Sequence, residues 1–431
     1  MKNPTIEELY KIFEEHPVIC TDTRNIKSGS LFFALKGANF NANEFAEQAI
    51  IKGAAYSIID EEKYYADHCI LVSDVLATLQ KLATHHRSQF NIPVIGITGT
   101  NGKTTTKELT ACVLSQKYKT LFTQGNLNNH IGVPLTLLSL SKEHEMAVIE
   151  MGANHVGEID ILCRIAEPDF GIITNIGKAH LEGFGGYEGV IKAKSELYKY
   201  IKEKNGELFV NADDELLMRL ADGVYFTYGT SVNADIRGIQ DPKSFLAKGM
   251  IEMIDGEEIQ VSSSLAGAYN FYNILAATCI GFYFEVSPQQ IKEAIEAYIP
   301  SNNRSQIVKK GSNTIWVDAY NANPSSMKIA IENFAVSNTP GKVLILGDMF
   351  ELGEDSHKEH QAIAELIEKH HDWKGVYLIG KEFSLVKSSG KLFHTVEDFI
   401  KWVSENPFTD ASILLKGSRG MQMERILELI K

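Results

Sequence analysis

The chain has 431 residues, of which 44% are hydrophobic and 23% charged, enough for about two to four globular domains. Its formal net charge of -13 argues against bulk binding to nucleic acid or anionic membrane, although one pocket can still be basic. The five cysteines form no CxxC pair, which predicts reduced thiols in a cytoplasmic protein. No apolar run reaches the ~18 residues of a membrane span, and the N-terminus has no signal core. We expect a monomer.

A small α/β unit is predicted over residues 1–90. Thr5 and Glu8 fit a capping box, and the apolar residues that follow repeat at helical spacing. Further along, short apolar runs occur at residues 31–35 and 54–59 with a helical pattern between them, and a longer helix is predicted at residues 75–90.

Alternating strands and helices predict two more domains, at residues 91–306 and 307–431, because this rhythm builds parallel sheets. In the first of them we expect strands at residues 94–98, 146–151 and 170–175, helices at 103–118, 158–165, 188–201 and 269–284, and an antiparallel hairpin around residues 250–261. In the second we expect strands at residues 314–317, 343–346, 376–379 and 413–415, with helices between them.

One short segment between a predicted strand and a predicted helix is typical of a phosphate-binding loop. Its residues are Gly99, Thr100, Asn101, Gly102, Lys103, Thr104 and Thr105. Glycines let backbone N–H groups approach phosphate oxygens, Lys103 can reach the β and γ phosphates of ATP, and the Thr104 hydroxyl can bind Mg²⁺. Ile97 stands where the full-length motif has glycine, so the segment is a shorter GxxGKT form. The alternative is a glycine-rich turn with a surface lysine.

Two polar residues follow other predicted strands. Glu150 ends one strand, and His180 lies in the loop after the next. Ligands of open α/β sheets bind at the carboxyl ends of strands, so a metal or phosphate role is open to both. A solvated glutamate and a structural histidine are the alternatives.

The motifs, taken in order, resemble the Mur ligase family of peptidoglycan synthesis, and the resemblance spans essentially the whole chain. They lie at residues 99–104, 125–129, 131–134, 150–154, 175–180, 193–197 and 269–273 and at Arg304. The resemblance implies an α/β protein of three domains: a small UDP-sugar domain, a central P-loop ATPase domain with a parallel sheet, and a Rossmann-like C-terminal domain that binds the incoming amino donor and contacts ATP.

Within the family, residues 21–24, 28–37, 318–324 and 346–353 are similar to the members that add D-alanyl-D-alanine to UDP-N-acetylmuramoyl-tripeptide. The implied reaction is ATP-dependent amide formation through an acyl phosphate. The chain departs from the family pattern at residues 41–43, Asn-Ala-Asn where Asp-Gly-His is common, and at Tyr269, where His is common. The alternatives are a sibling Mur ligase, a folylpolyglutamate-synthetase-like ligase, or a P-loop protein without ligase activity.

The resemblance also implies roles that residue type leaves open. Lys194 matches the family's carbamylated lysine, which would hold Mg²⁺ together with Thr104, Glu150 and His180; Lys103, Lys194, His180 and Glu150 are the implied catalytic residues. The implied ATP contacts beyond the loop are Asn270, Asn273, Arg304 and Asp318. The implied substrate contacts are Thr23, Arg24, Lys36, Asn126, Asn128, Asn129, Asn321, Asn323, Lys416, Ser418 and Arg419. By residue type alone, Lys194 fits a solvated helix face, the paired asparagines a polar patch, Arg304 an ion pair, and residues 416–419 an ordinary turn.

Overall fold

The computed structural model describes residues 1–223, 225–241, 244–301 and 303–430. These residues form two compact units. The first contains residues 1–97, 118–153 and 157–171, and the second contains residues 98–117, 154–156 and 172–431. Within the described ranges, no helix is both long and apolar enough to span a bilayer. Lys431, the last residue of the predicted third domain, lies outside the described residues.

The N-terminal segment is a small α/β structure with a parallel sheet in the order β1-β2-β5-β6. Thr5 and Glu8 form the predicted capping box, so the first helix begins where the sequence indicates. The helices are α1 (Ile6–Glu15), α2 (Ala46–Ile51) and α3 (Val75–Arg87), and the strands are β1 (Ile19–Cys20), β2 (Leu31–Phe33), β3 (Lys36–Gly37), β4 (Phe40–Asn41), β5 (Tyr56–Ile59) and β6 (Cys69–Leu71).

The central segment has the predicted alternation of strands and helices. Its strands are β7 (Val94–Thr98), β8 (Thr120–Phe122), β9 (Met146–Glu150), β10 (Phe170–Ile173), β11 (Glu207–Asn211), β12 (Tyr225–Gly229), β13 (Ile236–Gln240), β14 (Leu246–Met253) and β15 (Glu258–Ala266). Its helices are α4 (Lys103–Leu114), α5 (Gly132–Leu137), α6 (Glu158–Ala166), α7 (Leu181–Phe184), α8 (Tyr187–Glu203), α9 (Glu215–Leu220), α10 (Asn270–Tyr283) and α11 (Pro288–Ala297).

Strand pairing changes direction along this segment. In the first unit, β9 pairs with β7 and β8 in parallel. In the second unit, β11, β12 and β13 are parallel, whereas β14 pairs antiparallel with both β13 and β15. Burial alternates residue by residue along β14 and β15, as expected for strands with one face against a core. The predicted hairpin is therefore confirmed.

The C-terminal segment is a second parallel sheet, in the order β16-β17-β21-β18-β19-β20, with one antiparallel edge strand, β16. Its elements are β16 (Gln306–Lys310), β17 (Asn313–Asp318), α12 (Pro324–Val336), β18 (Lys342–Gly347), α13 (Ser356–Glu368), β19 (Gly375–Ile379), β20 (Lys391–Phe393), α14 (Val396–Glu405) and β21 (Ser412–Lys416). Its middle strands are buried apolar runs, which is typical of a parallel sheet covered on both faces.

Arg87, at the end of α3, binds the chain on both sides of the predicted linker. Its guanidinium donates to the carbonyl oxygens of Phe90 at 2.7 Å and Ala166 at 3.3 Å, and it lies 3.3 Å from the carboxylate of Asp169. The Arg87 side chain is only 8% exposed, so these acceptors would lose their partner if it were removed.

We predict that Arg87→Met lowers the free energy of unfolding by about 3 kcal/mol, since buried and half-buried carbonyl groups would be left without a donor. Denaturant unfolding measures this. The matched control is Arg164→Met, because Arg164 pairs with Asp160 on an exposed helix face, and there the change should stay within about 0.5 kcal/mol. Equal effects of the two substitutions would contradict the prediction.

Candidate active site

The phosphate loop begins after β7 and ends at the first turn of α4, and two of its glycines are required by geometry. Gly99 and Gly102 have φ of 142° and 82°, in the region that favours glycine. A Cβ at Gly102 would lie 2.6 Å from Oδ1 of Asn273, and one at Gly99 would lie 3.2 Å from the backbone nitrogen of Asn175. Any side chain at either position would therefore displace the neighbouring segments.

Residues 174–177 hold the loop by its backbone. The Asn175 side chain bonds both backbone groups of Asn101: Oδ1 accepts from the N–H at 3.0 Å, and Nδ2 donates to the oxygen at 2.9 Å. The Thr174 hydroxyl donates to the same backbone oxygen of Asn101 at 2.6 Å, and the Thr100 N–H donates to the backbone carbonyl oxygen of Asn175 at 2.9 Å. The Gly177 N–H donates to the Thr100 hydroxyl at 2.9 Å. The loop is thus fixed from outside its own helix.

The cationic end of Lys103 lies on this loop. Its Nζ donates to the carbonyl oxygens of Gly99 at 2.7 Å and Thr100 at 2.9 Å. Thr104 and Thr105, in the first turn of α4, are both buried. The lysine and the N-terminus of α4 therefore place positive charge at one position, which suits an anion such as a nucleotide phosphate.

Lys194 and His180 lie in the same charged neighbourhood as Lys103. Burial lowers the pKa of His180, and the charges of Lys103 and Lys194 act in the same direction, whereas contact with the Glu351 carboxylate opposes them. Lys194 is 3% exposed, and its Nζ lies 5.3 Å from the centre of the Phe184 ring. The solvated helix face that residue type suggested for Lys194 is therefore wrong.

The two asparagines of α10 share one face, as their spacing predicts. Nδ2 of Asn273 donates to Oδ1 of Asn270 at 2.7 Å, and Oδ1 of Asn273 accepts from the Thr106 hydroxyl of α4 at 3.1 Å. Nδ2 of Asn270 donates to the Ser305 hydroxyl at 2.9 Å, which also contacts the Tyr269 hydroxyl. Burial raises the pKa of the Tyr269 phenol. The pair connects the phosphate-loop helix to the segment around residue 305.

Arg304 and Arg419 lie against one aromatic ring, that of Tyr320. The guanidinium carbon is 3.5 Å from the ring centre for Arg304 and 5.1 Å for Arg419, whose Nη1 donates to the Tyr320 hydroxyl at 3.0 Å. Cation–π stacking of this kind orients a guanidinium without neutralising it. Both arginines keep their charge available for an anionic ligand.

Lys416 is different, because its charge is balanced within the protein. Its side chain is buried, and Nζ lies 2.5 Å from Oδ2 of Asp318 and 3.3 Å from the Asn321 oxygen. The Ser418 hydroxyl donates to the Ala322 oxygen at 3.3 Å. Lys416 and Ser418 thereby brace residues 318–322, and their predicted substrate contacts stay predictions.

Asn323 connects the C-terminal segment directly to the phosphate loop. Its Oδ1 caps α12 by accepting from the Ser326 N–H at 2.8 Å, and its Nδ2 donates to Oδ1 of Asn101 at 2.9 Å. One side chain therefore fixes both the start of a helix and the loop.

The other predicted site residues lie in the first unit. Glu150 is buried at the end of β9, and its Oε1 accepts from Nδ2 of Asn128 at 2.7 Å. Oδ1 of Asn129 accepts from the Gly132 N–H at 2.9 Å at the start of α5, whereas Asn126 is exposed. Asn129 thus has a local structural role, while Asn128 orients the Glu150 carboxylate.

The predicted UDP-sugar residues lie at the surface of the N-terminal segment. Nζ of Lys36 lies 3.0 Å from the Asp60 carboxylate, which also accepts a hydrogen bond from Nδ2 of Asn43 at 2.9 Å. Asn43 belongs to the segment at residues 41–43 that departs from the family pattern, and its side chain is buried, where it has a structural role. The exposed Arg24 pairs with Asp22 at 2.7 Å, and the guanidinium lowers the pKa of that carboxyl to about 2. The Thr23 oxygen accepts from Lys52 at 2.9 Å.

A cavity of about 750 Å³ in the C-terminal segment lies outside the predicted residue set. Both signs of charge line it, including Asp348, Glu351, Glu382, Glu397, Lys381 and Arg425. Asp348 accepts from the N–H groups of Glu382 at 3.0 Å and Phe383 at 2.9 Å, while burial raises its pKa. The motif at residues 346–353 lines one side of this cavity, so it was the sequence feature that could have indicated the cavity.

Among the described residues, no three His, Cys, Asp or Glu side chains come together in a way that could hold a metal ion. Mg²⁺ binding by Thr104, Glu150, His180 and Lys194 stays a prediction.

Comparison with known proteins gives consistent matches along the chain. A Mur ligase middle domain model matches residues 97–281, and a Mur ligase, glutamate ligase domain model matches residues 303–419. The UDP-N-acetylmuramoyl-tripeptide–D-alanyl-D-alanine ligase of Bacillus subtilis is 37% identical over 95% of this chain and 92% of its own length. The same-named ligase of Escherichia coli is 33% identical, over 96% and 93%.

Solved structures agree with these matches. MurF from Acinetobacter baumannii has a TM-score of 0.85 and 31% identity, covering 98% of both chains. MurF ligase from Thermotoga maritima, solved with ADP, has a TM-score of 0.84 and 29% identity, covering 96% of both chains. The α/β fold of three domains expected from the sequence is confirmed, while the exact boundaries stay predictions.

We predict that the His180 ring titrates below its ordinary pKa of 6.5 and is neutral at pH 7. Because the unfolded ring takes up its proton first, the folded chain loses stability as the pH falls from 6.5 towards the lower folded pKa. Glu351→Gln should lower the midpoint further, since it removes an opposing negative charge. NMR titration of the labelled histidine measures both, and a midpoint above 6.5 would contradict the prediction.

Proposed function

The chain belongs to the Mur ligase family, and from that premise we propose that it joins D-alanyl-D-alanine to UDP-N-acetylmuramoyl-tripeptide at the expense of ATP, in peptidoglycan precursor synthesis. ATP phosphorylates the peptide carboxylate, the dipeptide amine attacks the resulting acyl phosphate, and phosphate leaves. The observation that supports this most is the phosphate loop, whose backbone is held by Asn175 and whose side chain Asn101 is bound by Asn323 of the C-terminal segment.

Electrostatics explain what the loop contributes. A carboxylate and ATP are both anionic, so their approach requires positive charge that is already in place. Lys103 and the N-terminus of α4 supply it at the loop, and Arg304, stacked on Tyr320, adds an oriented guanidinium. Mg²⁺, held by Thr104 together with His180 and a carbamylated Lys194, would neutralise phosphate charge further.

The amino donor fits the charged cavity of the C-terminal segment. A dipeptide zwitterion carries an ammonium and a carboxylate, and the cavity has acidic groups at Glu351 and Glu382 and basic groups at Lys381 and Arg425. Glu351 also contacts His180, so one end of the cavity adjoins the charged neighbourhood of Lys103. A dipeptide bound there would lie close to the charged neighbourhood of Lys103.

We predict that the protein releases phosphate from ATP with Mg²⁺ and UDP-N-acetylmuramoyl-tripeptide only when D-alanyl-D-alanine is present, and that the product gains the mass of one dipeptide. Lys103→Ala should lower kcat by about 10²–10³-fold, as expected when one oriented cation at developing charge is lost. Lys192→Ala, an exposed lysine of α8, is the control and should change little.

Phosphate release that requires a free amino acid would instead assign the protein to a sibling ligase, and release that requires folate and glutamate to a folylpolyglutamate-synthetase-like enzyme. Release without any acceptor would contradict ligase activity and favour a plain nucleotide-binding protein.

Carbamylation of Lys194 is a separate proposal. Lys194 is 3% exposed and lies near His180 and Lys103, and addition of CO₂ would convert its ammonium group into an anionic oxygen ligand.

We predict that isotopically labelled bicarbonate gives one carbamate NMR signal that disappears in Lys194→Gln, and that activity falls when bicarbonate is removed. Lys192→Gln is the control. A signal unchanged in Lys194→Gln would overturn the proposal.

A further inference from the structure

Lys178 lies in the loop after β10, and two residues of the C-terminal segment bind it. Its Nζ lies 2.6 Å from Oε1 of Glu359 in α13, and its backbone N–H donates to the Ser325 hydroxyl of α12 at 2.8 Å. The two helices thus meet on one lysine, through its side chain and its backbone.

Burial makes the ion pair with Glu359 more than a surface contact. The Glu359 side chain is only 9% exposed, whereas that of Lys178 is 48% exposed. A carboxylate so far removed from water requires a cation or hydrogen bonds to remain charged. Within the described ranges, Lys178 is the cation at ion-pair distance from it. Loss of Lys178 would therefore leave a buried negative charge on α13.

The neighbouring residue, Gly177, connects this contact to the phosphate loop. Its N–H donates to the Thr100 hydroxyl at 2.9 Å, and that hydroxyl donates back to the Gly177 oxygen at 3.2 Å. A Cβ built on Gly177 would lie 2.7 Å from the Ser325 hydroxyl, so α12 can come this close to residue 177 only because that residue is glycine. α12 and α13 therefore reach the phosphate loop through two consecutive residues, Gly177 and Lys178.

We propose that Lys178, Glu359 and Ser325 form a clasp that holds the C-terminal segment against the phosphate loop, and that Lys178 is a positioning residue for the amino donor. α13 begins at Ser356, which lines the charged cavity. A shift of α13 therefore moves the donor relative to the loop, and small misplacements of reacting groups slow bond formation strongly. Lys178 acts through Glu359 and not on the phosphates of ATP.

Charge reversal tests the clasp. The variants are Lys178→Glu, Glu359→Lys and the double reversal, and the first readout is hydrogen exchange of the amides at residues 175–180 in the protein alone. Each single reversal should speed exchange by about 10-fold, as expected for loss of a charge-assisted hydrogen bond, and the double reversal should return within about 2-fold of the original rate. Reversal of Lys199 and Glu203, an exposed pair at 3.9 Å, is the matched control and should change nothing.

The second readout is kinetic and rests on the proposed function, whereas hydrogen exchange requires no catalysis. Each single reversal should raise KM for D-alanyl-D-alanine by about 10-fold, with less change in KM for the UDP-linked substrate, and the double reversal should restore it. If a reversal fails to fold, Glu359→Gln should still speed exchange at residues 175–180. A double reversal no better than the singles would overturn the proposal, as would lost activity in Lys178→Glu with unchanged exchange.

Discussion

The Asn175 side chain bonds both the N–H and the oxygen of Asn101, and the arrangement of the surrounding charges depends on that pair of hydrogen bonds. A glycine-rich turn has a flexible backbone, so its N–H groups can meet a phosphate only if something else fixes them. Here the fixing groups come from the loop after β10 and, through Asn323, from the C-terminal segment. These contacts hold Lys103 and the N-terminus of α4 in a fixed position relative to the loop after β10 and to the C-terminal segment.

The charged residues of the second unit fall into two groups: some can bind a ligand, and others stabilise the fold. Lys416 and Asp318 neutralise one another, and Lys178 neutralises Glu359, so these four groups stabilise the fold around the site. Arg304, by contrast, lies against the Tyr320 ring, and Lys103 contacts carbonyl oxygens of the phosphate loop. An acidic protein can in this way still present a cationic surface to an anionic nucleotide.

Much of the fold could be predicted from the sequence because its signals are local. The capping box at Thr5, the strand before Gly99 and the hairpin around Asp255 depend on neighbours in the chain, and each is confirmed. The edge strand β16 was not predicted, since its partner β17 defines it and the pattern of residues 306–310 is not distinctive.

The candidate site was predicted only in part, for the same physical reason. Residue type indicated Lys103 and Thr104, and the family resemblance, which is confirmed, singled out Lys194. The burial of Lys194, the contact between Glu351 and His180 and the pair of Lys178 with Glu359 join residues far apart in the chain. The sequence alone has no signal for such contacts.

In the proposed reaction, the site around the phosphate loop activates a carboxylate by transferring a phosphoryl group to it. The most direct measurement uses UDP-N-acetylmuramoyl-tripeptide whose terminal carboxylate has a heavy oxygen isotope, with mass analysis of the phosphate released during ligation. Transfer of one labelled oxygen into the phosphate is the predicted result, because the acyl phosphate breaks between carbon and that oxygen. Unlabelled phosphate together with ligated product would contradict the account.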